Sequence, residues 1–349
     1  MRTLPPLPET PAVSYVMPVL NEEGYLERAV RTILAQDYSG EKEIVLALGP
    51  SKDRSSAIAR DLAAEDPRVR LVDNPERHIP IGLNLAIGAS SHPIVIRVDA
   101  HSELTPDYTR AGIAALREHD AVNVGGVMRA AGRKPVQRAI ARGYNSPFGL
   151  GGGAYHGDGT PGPAESAYLG IFRREAIDAV GGYDPGILRG EDWELNLRIR
   201  RAGGTVWFAP ELGVTYWPRG SFRDLARQFF ATGAWRAVLV RRYRGANPWR
   251  FFVPGALVIG LAASAGIGAL QIAGVLPRRS PLALAHLAAA AYAAGVGFAV
   301  TRLSDPPQRG VADRVLSGCA LVTMHLSWGA GFLRGILLGG GRTVDKSRA

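Results

Sequence analysis

The chain has 349 residues, more than one average domain needs, with 46% hydrophobic and 21% charged residues and a formal charge of +10. Its hydropathy averages near zero, but the charged first two-thirds contrast with an Ala-, Gly-, Leu- and Val-rich stretch after Phe251, which favours one globular domain plus a membrane region over two globular domains. Arg236, Arg241, Arg242, Arg244 and Arg250 crowd the residues before that stretch, where cytoplasmic flanks of membrane helices gather positive charge, so the basic balance points to a membrane and not to nucleic acid.

From Ala12 onward, strand-like and helix-like runs alternate. Val13 to Val19 reads as a buried strand, and EEGYLERAVRTILAQ follows it with Leu26, Val30, Ile33 and Leu34 at helical spacing. EIVLAL, SSAIARDLAAE, VRLVDN, IGLNLAIGAS and PIVIRVDA repeat the alternation, which predicts a parallel sheet with right-handed crossovers and a ligand at the carboxyl ends of its strands. NSPFGLGGGAYHGDGTPGPAES, from Asn145, has no periodicity and reads as a long functional loop. Order returns at YLGIFRREAIDAVGGYD, at the helical EDWELNLRIRRAGG and at a short strand, TVWFAP.

Three apolar segments follow: Val253 to Leu276, Leu282 to Thr301 and roughly Val315 to Leu338. About 20 residues cross a bilayer core, so the first two are long enough to span; the third, which holds His325, Ser327 and Arg334, is a span or an in-plane amphipathic helix. Three spans place Arg342, Lys346 and Arg348 outside, against the positive-inside tendency, whereas a hairpin with an interfacial third segment keeps them inside. Three spans are the favoured expectation. MRTLPPLPETP has no apolar core, so the globular part is expected in the cytoplasm, and the lone Cys319 permits no intrachain disulfide.

Two motifs carry chemistry. RVDAH ends a predicted strand at the ligand-binding edge, and in extended backbone Asp99 and His101 project to one side, able to hold a divalent cation that grips a diphosphate. Such a pair also recurs by chance in solvated loops. In RGEDWELNLRIRRAGG, Glu191 and Asp192 begin a helix, where the dipole favours acids in any case. The functional alternative is a general base, since a sugar hydroxyl near neutral pH needs a carboxylate to take its proton. Trp193 and Trp207 read as core, and Tyr144, Tyr155 and Tyr168 bracket the glycine-rich stretch without an assigned role. His78, His92, His119 and His156 share no ligand spacing.

The order PVLNEEGYLERAV, SKDRS, Leu83-Asn84, RVDAH and GYD…GEDWELNLRIRRAGG resembles glycosyltransferase family 2 over nearly the whole chain. With QFFATGAWR and HLSWGAGFLRG it is similar, more narrowly, to the membrane-bound succinoglycan-type exopolysaccharide glycosyltransferases. The resemblance implies an α/β GT-A domain over residues 12–235, after a tail at 1–11. A basic juxtamembrane segment (236–252), a transmembrane region of about three helices (253–338) and a C-terminal tail (339–349) follow.

The same resemblance implies inverting transfer of a hexose from a nucleotide sugar to a polyprenyl-diphosphate-linked saccharide at the inner membrane. It carries over Asp99 and His101 as the Asp-x-Asp-like metal and diphosphate motif, served by Mn²⁺ or Mg²⁺, with the imidazole favouring Mn²⁺. Asp192 matches the catalytic base, with Glu191 to orient it; Pro18, Asn21, Glu22 and Asn84 match nucleoside-side contacts. Gln228, Trp235 and Arg236 match an element that meets acceptor and donor phosphates, although the order here is Trp then Arg. A UDP-sugar is favoured by the resemblance. Leu48-Gly49-Pro50 replaces the acidic run usual after the second strand, however, leaving Asp53 as the nearest carboxylate and weakening the argument for uracil.

The rival readings are a polyprenyl-phosphate sugar synthase and, more distantly, a non-catalytic membrane-bound binding module. A dinucleotide-dependent redox enzyme is excluded, because PVLNEEG stands where a Gly-x-Gly-x-x-Gly cradle is required.

Overall fold

The computed structural model describes residues 4–150 and 159–341; Tyr155, His156, Arg342, Lys346 and Arg348 lie outside them. In chain order the strands are β1 (Val13–Val19), β2 (Lys42–Leu48), β3 (Val69–Asp73), β4 (Ile94–Arg97), β5 (Ser102–Leu104), β6 (Asn123–Ala130), β7 (Gly162–Pro163), β8 (Tyr168–Arg173) and β9 (Val206–Tyr216). The helices are α1 (Leu26–Leu34), α2 (Ser55–Glu65), α3 (Ile79–Ala89), α4 (Tyr108–Glu118), α5 (Pro135–Tyr144), α6 (Pro147–Leu150), α7 (Arg174–Ala179), α8 (Glu191–Arg201), α9 (Phe222–Arg242), α10 (Val253–Ile272), α11 (His286–Arg302) and α12 (Val311–Leu338).

Residues 4–130 and 159–217 make one compact unit, and residues 131–150 and 218–341 a second. In the first, a single sheet runs β3-β2-β1-β4-β8-β6-β9-β5, with β7 beside β9. The β3-β2-β1-β4 half is parallel, as the alternation predicts. β1 and β2 are buried almost throughout, which only a sheet covered by helices on both faces requires. The other half departs from a parallel reading: β8 runs antiparallel to both β4 and β6, and β9 is parallel to β6 but antiparallel to β5. Register shifts at Gly125 and Gly126 bend β6, and a Cβ on Gly126 would collide with the Leu212 carbonyl, so this bulge requires glycine.

Apolar side chains fill both faces: Tyr15, Met17, Leu26, Ile33, Ile44 and Leu46 on one, Val16, Val45, Leu83, Val95, Leu195 and Ile199 on the other. Trp193 is buried as expected, and Trp207 stacks on His119 at 3.8 Å. TVWFAP opens a strand longer than its sequence suggests, because β9 continues to Tyr216 along β6.

The second unit is helical. Three segments are long and apolar enough to cross a membrane: Trp249–Ile272, Pro281–Arg302 and Val311–Leu338. The Arg cluster is not a linker throughout, since Arg236, Arg241 and Arg242 belong to α9. Within the stretch read as one long loop from Asn145, α6 and β7 are ordered, and residues 151–158 lie outside the described residues.

Glu43 fastens the parallel half at its amino end. Its buried carboxylate accepts from Ser14 Oγ (2.7 Å), Ser91 N (2.7 Å), Ser91 Oγ (3.0 Å) and Arg70 (2.8 Å), linking β1, β2, β3 and the turn before β4. Burial alone would raise its pKa, but these bonds overcome that and hold it at about 2. Glu43→Ala should therefore cost about 2–4 kcal/mol of stability near neutral pH. A folded pKa below the unfolded one makes this contribution complete above the ordinary carboxylate range and progressively lost toward pH 2, so denaturation midpoints of the two proteins should converge on acidification.

Candidate active site

Strand β4 delivers Arg97 to the sheet's carboxyl edge, and a tight turn follows, in which Ser102 N donates to the Asp99 carbonyl at 2.9 Å. Asp99 and His101 therefore sit in a turn and not in the extended backbone that their spacing suggested. The short β5 begins at once and forces the reversal.

The Arg97 guanidinium is the hub of the site. Its Nη2 donates to Asp99 Oδ1 (3.1 Å) and to Glu191 Oε1 (3.0 Å), its Nε to Asp99 Oδ1 (3.2 Å), and its Nη1 to Asp192 Oδ1 in a very short contact. The two motifs, more than ninety positions apart in sequence, are thus one cluster in space. Gly190, at φ +79°, lets the chain turn sharply into α8, so that its first two residues face Arg97. Side-chain exposure is 5% for Arg97 and 9% for Glu191, against 28% for Asp192, which makes Asp192 the carboxylate most open to an incoming molecule.

One positive charge serves three negative ones. Burial pushes the Asp192 carboxyl up to about 7; Arg97 opposes the shift, while Glu191 and Asp99 reinforce it. Tyr183 donates its hydroxyl to Asp192 Oδ1 at 3.4 Å, and burial holds that phenol neutral by raising its pKa well above the ordinary value. Asn84, expected on the nucleoside side, clamps Tyr183: its Nδ2 donates to the Tyr183 carbonyl (2.8 Å) and its Oδ1 accepts from Tyr183 N (2.9 Å).

His101 Nδ1 lies 3.0 Å from Glu22 Oε1, and the ring meets Tyr216 edge-on at 5.3 Å. Among the described residues no group of three or more His, Cys, Asp or Glu side chains is placed to cage a metal ion. Asp99 and His101 offer a carboxylate and an imidazole with a carboxylate behind it, donor types that would suit a divalent cation.

The loops after β1 and β2 close on each other. Asn21, at φ +54°, accepts from Lys52 N (2.6 Å) and its own N–H donates to Ser51 Oγ (3.0 Å), while Glu22 N donates to Ser55 Oγ (2.6 Å). Both oxygens of Asp53 are engaged inside this zipper, by Ser55 and by Glu23 N. Pro18, in β1, packs beside α3 at Gly82.

Gln228, Trp235 and Arg236 all lie on α9 in the second unit. Gln228 Oε1 accepts from the Tyr144 hydroxyl (3.3 Å), Trp235 is buried, and the Arg236 guanidinium covers the Phe251 ring at 4.2 Å. Arg97 and Tyr183 are the residues that sequence reading left without a role. The signal for Arg97 was a charge closing the apolar run IVIR, where a buried cation demands anionic partners.

A family model described as "Glycosyl transferase family 2" matches residues 14–181. The "Succinoglycan biosynthesis protein ExoA" of Rhizobium meliloti (strain 1021) is 32% identical over 92% of this chain and 94% of its own length. A "Dolichyl N-acetyl-alpha-D-glucosaminyl phosphate 3-beta-D-2,3-diacetamido-2,3-dideoxy-beta-D-glucuronosyltransferase" of Methanococcus voltae is 22% identical, covering 66% of this chain and 74% of its own. Among solved structures, the mannosyltransferase PcManGT of Pyrobaculum calidifontis, in complex with GDP-Man and Mn²⁺, superposes with a TM-score of 0.62 at 19% identity over 93% of this chain and 87% of its own, and so shares the fold.

Arg97→Met removes the cation that these three carboxylates share. The substitution should cost about 3–5 kcal/mol of stability, because a buried charge group loses its partner. Protonation relieves the repulsion left behind, so the loss in thermal unfolding temperature should be larger at pH 8 than at pH 5.

Proposed function

This chain belongs to glycosyltransferase family 2, and we propose that it moves a hexose from a nucleotide-sugar donor onto a lipid-linked saccharide by a single inverting displacement, at the cytoplasmic face of the inner membrane, in exopolysaccharide or cell-envelope glycan synthesis. The observation that carries this reading is the Arg97 cluster, which unites Asp99 of RVDAH with Glu191 and Asp192 of GEDWE at the carboxyl edge of the sheet. The relative from Rhizobium supports the exopolysaccharide setting, and the methanococcal transferase, whose name specifies a dolichyl-phosphate-linked sugar, supports an acceptor already carrying saccharide.

In the proposed reaction, the acceptor hydroxyl oxygen forms a bond to the donor's anomeric carbon while the bond from that carbon to the diphosphate oxygen breaks. The hydroxyl proton passes to Asp192, the most open carboxylate of the cluster. An elevated pKa makes Asp192 a stronger base than an ordinary carboxylate, and Glu191, held by Arg97, fixes the start of α8 that presents it. Asp99 and His101 would hold a divalent cation; when bound, Mn²⁺ or Mg²⁺ offsets the charge that develops on the leaving diphosphate. Glu22 braces His101 through Nδ1, so that a cation held there would be met by Nε2. Asn21 and Pro18 shape the nucleoside side, and the Asn21 zipper, including Asp53, holds that loop in place. Gln228, Trp235 and Arg236 are assigned to the acceptor and phosphates by the family correspondence. A UDP-sugar is the first donor to assay, in a panel that also includes GDP-sugars.

Asp192→Asn should lower kcat by about 10²–10⁴ and leave donor affinity within a few-fold, since the amide keeps the shape but cannot take the proton. The wild-type rate should fall as pH drops through the Asp192 pKa near 7, because only the ionised carboxylate is a base. Near-normal turnover by the variant removes Asp192 from the mechanism.

Asp99→Ala and His101→Ala should weaken nucleoside diphosphate binding in Mn²⁺ but not in EDTA, as read by calorimetry. Equal binding and turnover of the wild type in EDTA would reject the cation. Polyprenyl phosphate and a polyprenyl-diphosphate saccharide, offered in parallel, decide the acceptor.

A further inference from the structure

By length and composition α12 is the third membrane span, yet its packing contradicts that placement. At 28 residues it is about 42 Å long, well beyond a hydrocarbon core of about 30 Å. Of its most apolar stretch, 39% is buried within the protein, against 11% and 6% for the segments containing α10 and α11.

α9 and α5 bury it, together with the first turn of α10, where a Cβ on Gly329 would collide with the Pro254 carbonyl, and the carboxyl end of α11, where Ala299 and Leu303 pack on Leu321. The carboxyl half of α12 lies in backbone contact with α9: a Cβ on Gly331 would collide with the Phe230 carbonyl, one on Gly335 with Ala234, and one on Gly233 of α9 with the Trp328 carbonyl. The amino half is tied to α5 by the fully buried Arg142. That side chain donates to the Pro306 carbonyl (2.6 Å), the Pro307 carbonyl (2.8 Å), Ser317 Oγ (3.2 Å) and Asp313 Oδ2 (3.1 Å). α9 carries Arg223, Asp224, Arg227, Arg236, Arg241 and Arg242, and each charge at the bilayer centre costs about 2.5–3.5 kcal/mol even on insertion scales. α9 therefore cannot lie across hydrocarbon, and a helix locked against its backbone shares its depth.

The outer face of α12 completes the case. Val311, Val315, Cys319, Val322 and Leu326 follow one another at helical spacing on its more exposed side, an apolar stripe with Arg314 and Arg334 on the same helix. We propose that α12 is an interfacial helix, lying in the plane of the membrane with this stripe on acyl chains and its arginines, with those of α9, on anionic headgroups. α10 and α11 alone then cross as a hairpin, and both ends of α12 stay on the face that carries α9. This topology is independent of the sugar chemistry proposed above.

The test uses the full-length protein and exploits Cys319 as the chain's single cysteine. In a Cys319→Ser background, Val311→Cys, Leu338→Cys and the α9 control Arg241→Cys are exposed to a membrane-impermeant maleimide in intact spheroplasts and in inverted vesicles. All three should react in inverted vesicles, with the signal lost in spheroplasts. Reaction of Leu338→Cys in spheroplasts would overturn the proposal, since a spanning α12 puts its ends about 40 Å apart across the bilayer. Independently, a fluorophore on native Cys319 should be quenched more by lipids brominated near the headgroup than by lipids brominated deep in the chain; the reverse order also overturns it.

Discussion

A single guanidinium shared by three carboxylates governs the candidate active site. Arg97, at the end of a buried parallel strand, has no water to solvate it and must find anions; Asp99 comes from its own turn, and Glu191 and Asp192 from the start of α8. Neither motif stands without the other. The turn after β4 would expose a buried cation if α8 moved away, and α8 would open with two desolvated acids if Arg97 were lost. Because one charge cannot neutralise three, the cluster keeps an excess of negative potential, which favours both proton uptake by Asp192 and attraction of a cation at its edge.

Around this hub, polar side chains act mainly on backbone. Asn84 closes two hydrogen bonds onto Tyr183, which in turn reaches Asp192, so an amide on α3 positions the cluster without touching it. Asn21, Ser51, Asp53 and Ser55 likewise zip the loop after β1 to the loop after β2. The run Leu48-Gly49-Pro50, which lacks the acidic residue common after the second strand, leads into this zipper. The loop is held by its own Asn and Ser contacts, and Asp53 spends both oxygens there.

The parallel half of the sheet was legible because its strands are short apolar runs and the first three are each followed by a helix, a local signal. The insertion of β8 between β4 and β6 was not, since antiparallel partners so distant in sequence leave no mark on spacing. RVDAH and GEDWE were legible as motifs, and family resemblance supplied the roles proposed for them. Two things escaped: that Asp99 and His101 turn with the backbone, which β5 dictates, and that Arg97 joins the motifs, which only three-dimensional proximity reveals. The double hydrogen bond from Asn84 to the Tyr183 backbone left no signal either, because an amide's backbone partner is not written in its neighbours.

The apolar segments teach the complementary lesson. Length and composition measure what a helix tolerates, and α10, α11 and α12 all tolerate hydrocarbon. Depth is set by what the helix is fastened to. α10 and α11 meet through Ser264 and His286 among other contacts, and α12 touches α10 near the first turn of α10, where a Cβ on Gly329 would collide with the Pro254 carbonyl. α12 also carries glycine where it meets α9, and glycine at a helix contact brings backbones close enough that neither helix can shift in depth alone. A spanning helix needs no such seam with an arginine-rich neighbour. Gly331, Gly335 and the buried Arg142 are thus better explained as the fastening of an in-plane platform than as features of a third span.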